Sequence, residues 1–213
     1  MAGILALWLV ATLAQGKVLD RIAVTVDDHV IALSDVLEEI RLVALLDGVA
    51  PEFTPERKRQ AAERLIEHVL LGRDMELTRF PLPSDEEVAD FVEQIRQARG
   101  LDEAAWRAEL RRCEIPPERL REHLRRRLGI LRYIEFRFRP EVQASSTEVQ
   151  RPAPDPSGSS DSRRSGPQDR LIELARQTAE SALAARQVDE LVDAWLREAR
   201  QRARIRWREA AFQ

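Results

Sequence analysis

The chain has 213 residues, enough to bury one sizeable core or one domain with appendages. Hydrophobic residues make up 44% and charged residues 33%, a balance typical of a soluble helical protein with solvated faces. The 34 basic and 37 acidic residues give a net charge of -3, which argues against a dedicated nucleic-acid binder because such proteins carry a clear basic excess. The lone Cys113 cannot form an intramolecular disulfide.

Residues 1–16 predict a signal peptide. Positions 2–13 are almost wholly apolar, a run too short to span a bilayer comfortably. Ala14 and Gly16 place small residues at the two positions that signal peptidase reads. The run has no Lys or Arg before it, so a buried N-terminal segment or a misplaced start codon is the alternative. We expect cleavage before Lys17, export to the periplasm and no stable membrane insertion of the mature chain.

Residues 18–40 predict a β-hairpin that leads into a helix. Apolar side chains occupy every second position over 22–26, the period of a half-buried strand. The segment 27–29, Asp-Asp-His, favours a turn, and the apolar run 30–33 then resumes. Ser34 is the expected N-cap of the helix that follows.

Caps and breakers predict five helices before residue 140. Gly48 suits the left-handed residue that closes a helix, and Thr54 before Pro55 forms a cap with proline at the first helical position. Ser84 and Glu87 form a capping box. The first three predicted helices run from the Ser34 cap to about Leu46, from Pro55 to about Leu77, and from Ser84 to Gly100. The next two run from Asp102 to about Cys113 and from Pro117 to about Phe138. At about Phe138 the chain is expected to turn extended.

Composition changes sharply at residues 140–168. The segment 143–168 is rich in Ser, Pro, Gly, Asp and Arg and almost free of large apolar residues, which predicts a disordered linker. Helical spacing returns over 169–202, and the alternation in 202–208 predicts a short strand.

The expected fold is mainly α, with a small sheet. A two-stranded hairpin is marginal alone, and the terminal strand has no partner near it in sequence. Pairing the two would close a small sheet and bring the last helix onto the N-terminal helices. We therefore expect 17–139 and 169–213 to form one domain, interrupted by the linker.

The order of these segments resembles the SurA-type periplasmic chaperones. The resemblance rests on the hairpin and helix of 18–40, the helix 59–77, the SDEEV helix start at 84–88, the helix pair in 101–135, and the tail LVDAWLREARQRARIRW at 191–207. It implies a helical chaperone core with a peptide-binding crevice. Family members usually carry one or two parvulin-type prolyl isomerase domains, but the linker here is far too short for one. Only a holding function, without isomerase activity, is therefore implied.

The resemblance implies binding of unfolded exported or outer-membrane proteins, without ATP or any cofactor. A structural or scaffold protein that binds one fixed partner or itself is the alternative. Large apolar side chains near helix ends and along the long helix are candidates for the crevice, although each can equally belong to the core. These candidates are Phe53, Met75, Phe91, Trp106, Tyr133, Phe136 and Phe138.

No catalytic or metal-binding pattern emerges from the sequence. His29, His68, His123 and Cys113 lack a second ligand at metal-binding spacing, which favours an ordinary surface or core role for each. The arginine-rich run 111–139 alternates with glutamates, which favours i,i+4 ion pairs on a solvated helix face over nucleic-acid binding.

Overall fold

The computed structural model describes residues 20–149 and 167–213, with side chains described for 20–140 and 181–213. The predicted signal peptide, residues 1–16, lies outside the described residues. The fold is mainly α with a small antiparallel sheet, which confirms the predicted fold class. The strands are β1 (Ile22–Val26), β2 (His29–Ala32) and β3 (Ile205–Trp207), and the helices are α1 (Leu33–Asp47), α2 (Pro55–Leu77), α3 (Asp85–Ala98), α4 (Glu103–Arg112), α5 (Pro117–Val149) and α6 (Pro167–Arg202).

The sheet joins the two ends of the described chain. The strand order is β2-β1-β3, and both neighbours run antiparallel to β1. Val24 lies opposite Trp207 and Val26 lies opposite Ile205. The predicted pairing of the hairpin with the C-terminal strand is therefore confirmed.

One detail of the predicted strand pattern is wrong. The alternation placed Ile22, Val24 and Val26 on one buried face, but Ile22 is exposed while Ala23 and Val24 are both fully buried. The register of β1 against β2 shifts between Ile22 and Val24. Such an irregularity adds a residue to one strand and reverses the face of every side chain before it.

The start of α1 also differs from the prediction. The cap is Ala32, whose backbone N–H donates to the Asp35 carboxylate at 2.9 Å. Ser34 lies inside the first turn, and its hydroxyl donates to the Asp20 carboxylate. A carboxylate three residues into the helix satisfies the cap N–H by itself, so a preceding hydroxyl is not needed.

The other predicted helix signals are confirmed. Gly48 closes α1 in the left-handed region with φ +75°, and Thr54 caps α2. Ser84 and Glu87 form both bonds of the capping box, and Asp102 caps α4. These local contacts fix where each helix enters the bundle.

The helices α5 and α6 are longer than predicted. The chain stays helical through Phe138 and on to Val149, and α6 begins at Pro167. Residues 140–149 and 167–168 of the expected linker are therefore helical, while 150–166 lie outside the described residues. Extending a formed helix costs little, because each added residue except Pro140 can gain a bond without a new nucleus.

The buried side chains form three clusters. The largest lies between the sheet, α1, α2, α5 and α6, and includes the penultimate residue Phe212. The second joins the end of α1 to α3, α4 and the start of α5, with Trp106 and Cys113 at its centre. The third packs Phe138 of α5 against Val188 of α6. The chain on both sides of 150–166 thus shares the largest core.

Candidate functional site

A cleft of about 690 Å³ opens between β2, α1, α2 and α5, and we refer to it as the hairpin cleft. Its volume is within the range of sites that bind small molecules or short peptide segments. We refer to the lining residues of the hairpin turn and β2 as one wall, to those of α1 and α2 as the floor, and to those of α5 as the second wall. Its lining residues are Asp28, His29, Val30, Ile31, Asp35, Glu39, Leu42, Leu65, His68, Val69, Gly72, Arg73, Met75, Glu76, Leu82, His123, Arg126, Arg127 and Ile130.

The apolar part of the hairpin cleft reaches the surface at its mouth. Ile31 and Ile130 are buried in its walls, whereas Val30 is 48% exposed and Leu82 is 57% exposed. Large apolar side chains at a concave opening favour binding of an apolar group. The cleft therefore has buried apolar side chains in its walls and exposed apolar side chains at its mouth.

Among the described residues, the outer edge of β2 at Val30 has no partner strand, and it lies at the rim of the cleft. On the side of β3, the Ala23 carbonyl accepts from the Arg208 N–H and the Asp27 N–H donates to the Arg204 carbonyl, each at 2.9 Å. Because an antiparallel ladder alternates, the backbone N–H and C=O of Val30 point away from β1. An edge of this kind can accept an extended peptide as an additional strand.

Arg73 holds the hairpin turn against α2. Its guanidinium donates to the Val26 carbonyl at 2.8 Å and to the Asp27 carboxylate at 2.5 Å, and it also pairs with Asp28. Bonds from the Arg204 backbone N–H and from Arg73 lower the pKa of Asp27. The turn residue Asp27 adopts a left-handed backbone, φ 54°, which aspartate tolerates better than most residues. The wall of the cleft is therefore fixed on α2.

A buried charge lies in the floor of the cleft. Glu39 is 1% exposed, and its carboxylate accepts from Arg64 Nε at 2.9 Å. Arg127 Nη1 lies 3.9 Å from the same carboxylate, beyond hydrogen-bond distance. We call these three residues the Glu39 cluster. Glu39 shares the buried face of α1 with Val36 and Ile40.

Two histidines line the cleft beside this cluster. Burial lowers the pKa of His68, and the nearby Arg127 and Arg64 act in the same direction against the opposing charge of Glu39. The ring nitrogen Nε2 of His123 lies 3.0 Å from the Glu38 carboxylate.

Glu38 is held ionised by its partners. Burial raises its pKa, but hydrogen bonds from Arg119 and His123 outweigh that effect, so the pKa is lowered overall. Arg119 donates to both carboxylate oxygens, at 3.0 and 2.6 Å, which is the strong bidentate arrangement. This contact ties α1 to the first turns of α5.

The structure does not bring the seven predicted crevice residues together. Met75 is buried and lines the hairpin cleft. Phe53 is partly exposed in the loop before α2, beneath the Arg41 guanidinium at 5.5 Å. Phe91 and Trp106 belong to the second core cluster, away from the cleft. Of these, Met75 alone contributes to the cleft.

The three aromatic candidates on α5 also lie outside the cleft. Tyr133 is fully buried and its hydroxyl donates to Asp74 at 2.7 Å. Phe138 is buried against α6, whereas Phe136 is 62% exposed and contacts the Phe80 ring with centroids 5.2 Å apart. Tyr133 and Phe138 leave no surface for a ligand in this conformation, whereas Phe136 and Phe53 keep exposed ring surface that does not line the hairpin cleft.

The residues that shape the cleft were missed by the sequence argument. Arg126 pairs with Glu122 at 3.4 Å, as the i,i+4 pattern predicts, but Arg127 turns inward to Glu39. Glu39 carries a usable signal, because it interrupts an apolar stripe at i, i+3 and i+4 with Val36 and Ile40. A charge in a buried stripe requires a partner from elsewhere in the chain.

No known protein-family model matches the chain, and no characterised protein matches it. Within 20–149 and 167–213, no helix combines the length and hydropathy that a membrane crossing requires. In the same part of the chain, no three His, Cys, Asp or Glu side chains are grouped so that they could hold a metal ion.

Proposed function

We propose that the chain is an ATP-independent periplasmic chaperone that holds unfolded exported or outer-membrane proteins, without prolyl isomerase activity. The observation that supports this function best is the hairpin cleft with the unpaired edge of β2 on its rim. An extended client could add a strand at Val30 while its alternate side chains enter the hairpin cleft, whose lining includes apolar side chains. Binding of this kind depends on backbone geometry and apolar area, so it accepts many sequences.

The rest of the proposal depends on the order of segments that resembles the SurA-type chaperones. Export depends on residues 1–16, which lie outside the described part, and stays a prediction. The proposed lack of isomerase activity is supported by the length of the segment between α5 and α6, which is too short for a parvulin domain.

Aggregation suppression tests the holding function. We expect the purified chain to keep several unrelated unfolded proteins in solution without ATP. Leu82→Ser should reduce this activity several-fold, because Leu82 forms the apolar rim of the cleft. Leu77→Ser is the matched control, since Leu77 is 83% exposed and does not line the cleft. No suppression by the unmodified chain, or equal losses in the two variants, would contradict the proposal.

The strand edge has its own test. Val30→Pro removes the outward N–H but leaves the bonds between β1 and β2, and proline is tolerated at such edge positions. Client binding should weaken while the thermal midpoint stays close to that of the unmodified chain. Unchanged client binding would show that the edge is not used.

A partner-specific scaffold remains the second candidate, and one groove favours it. A second cavity of about 410 Å³ lies between α5 and α6, with Leu131 and Val188 in its lining. Leu131 is partly exposed there. Tight binding of one folded partner, blocked by Leu131→Ser and without general aggregation suppression, would support the scaffold.

A further inference from the structure

We propose that the hairpin cleft recognises a carboxylate on its peptide ligand and that Arg127 is the residue that determines this specificity. The inference rests on the proposed function, because it names the chemistry that the same cleft selects. The carboxylate could belong to an acidic side chain or to the free C-terminus of an unfolded chain.

The first argument is the state of the Arg127 side chain. It lines the cleft, and its Nη1 atom is buried without a hydrogen-bond partner. Within the part of the chain that the structure describes, Nη1 is the only buried side-chain nitrogen or oxygen in that condition. A buried guanidinium N–H without an acceptor is costly. The Arg127 side chain as a whole is 30% exposed, so its guanidinium can turn towards the cleft and donate to an arriving carboxylate.

The second argument is the charge of the Glu39 cluster. One carboxylate faces two guanidinium groups, so the cluster carries one positive charge in excess. Glu39 already accepts from Arg64 at 2.9 Å, whereas Arg127 Nη1 is 3.9 Å from that carboxylate and has no hydrogen-bond partner among the described residues. A second carboxylate, supplied by the ligand, would balance the cluster.

The other acidic residues of the lining do not fill this role. Asp28 pairs with Arg73, and Asp35 accepts from the Ala32 backbone N–H. Glu76 is solvent-exposed in the last turn of α2, where water screens its charge. Arg126, the neighbour of Arg127 on α5, also lines the cleft. The residues of α5 that line the cleft therefore present positive charge to a ligand.

Four matched peptides test the inference by fluorescence anisotropy. All are short, extended and apolar, with either Glu or Gln at the centre and either a free or an amidated C-terminus. We expect the unmodified chain to bind at least one carboxylate-bearing peptide about tenfold more tightly than the peptide with Gln and an amide. The peptide that gains affinity identifies the source as an acidic side chain or a chain terminus.

Two variants should change this preference in opposite directions. Arg127→Met should abolish it while leaving the affinity for the uncharged peptide almost unchanged, since Glu39 keeps its bond to Arg64. Glu39→Gln should strengthen it, because the cluster then carries two positive charges. Arg121→Met is the control, an exposed arginine on the same helix that does not line the cleft.

The outcomes separate this inference from the proposed function. If no peptide binds the unmodified chain, both fail. If all four peptides bind equally well, the holding function stands and carboxylate recognition is refuted. If the preference survives in Arg127→Met and does not rise in Glu39→Gln, another residue recognises the carboxylate. Should Arg127→Met fail to fold, the Glu39→Gln result alone decides.

Discussion

Replacing Arg64 with methionine should destabilise the fold far more than an exposed arginine replacement does. Arg64 is the hydrogen-bonded partner of a carboxylate that is 1% exposed, at 2.9 Å. Methionine preserves most of the apolar stem of arginine but carries no charge. The variant therefore leaves Glu39 as a buried carboxylate whose nearest cation is Arg127, at 3.9 Å and without a hydrogen bond.

The expected loss of unfolding free energy is about 3 kcal/mol. Breaking a buried ion pair by removing one partner costs about 3–5 kcal/mol, because the remaining charge is uncompensated. The lower end applies here, since Arg127 retains part of the attraction and Arg64 itself is one-third exposed. Arg107→Met provides the control: its pair with Glu103 has the same 2.9 Å distance but is mostly exposed, so its loss should cost less than about 0.5 kcal/mol.

Equilibrium urea unfolding measures both variants. The double variant Arg64→Met with Glu39→Gln should recover part of the loss, because it removes the stranded charge and glutamine needs only a neutral partner. A double-mutant cycle then isolates the coupling between Arg64 and Glu39. If Arg64→Met and Arg107→Met cost the same, the Glu39 carboxylate is not a buried charge that requires its arginine, and the argument for an electrostatic site in the cleft fails with it.

Two further predictions concern acid stability and the C-terminal segment. Burial lowers the pKa of His68 in the folded chain, so the unfolded chain binds a proton more readily and stability falls as the pH drops below about 6.5. His68→Gln should therefore flatten the pH dependence of the unfolding free energy between about pH 7 and 5, as measured by urea unfolding. Phe212→Ala should lower the unfolding free energy by about 3 kcal/mol, because Phe212 is buried in the largest core. Phe136→Ala, at an exposed site, should lower it by less than about 1 kcal/mol. Equal losses in urea unfolding would show that the segment after β3 contributes nothing to the core.

The sequence predicted most of the fold because its helix signals are local. The caps at Thr54, Ser84 and Asp102 act within three residues, and each forms the bond that its pattern implies. The sheet was predicted from a different constraint, since neither the hairpin nor the last strand is stable alone. The side chain of Ile22 was placed on the wrong face because the register irregularity depends on the partner strand and leaves no mark in β1 itself.

The cleft could not be predicted in the same way, because its parts meet only in the folded chain. Arg64, Arg127 and Glu39 lie on three different helices, and the closest two are 25 residues apart. The sequence marked Trp106 and Phe138 as large apolar positions, but it could not distinguish a core position from a wall of a cleft. That distinction depends on which neighbouring helix covers each residue.

The same reasoning explains why one charged residue in α1 is more informative than the seven apolar candidates. An apolar side chain is satisfied in any core, so its presence says little about function. A buried carboxylate requires a partner of opposite charge, and that requirement brings Arg64 and Arg127 from two other helices to Glu39 in the floor of the cleft. Arg127 is then left with more donors than the described residues satisfy. A ligand with a matching carboxylate would satisfy them, which is why the selectivity of the cleft should follow the charge of the peptide as well as its apolar content.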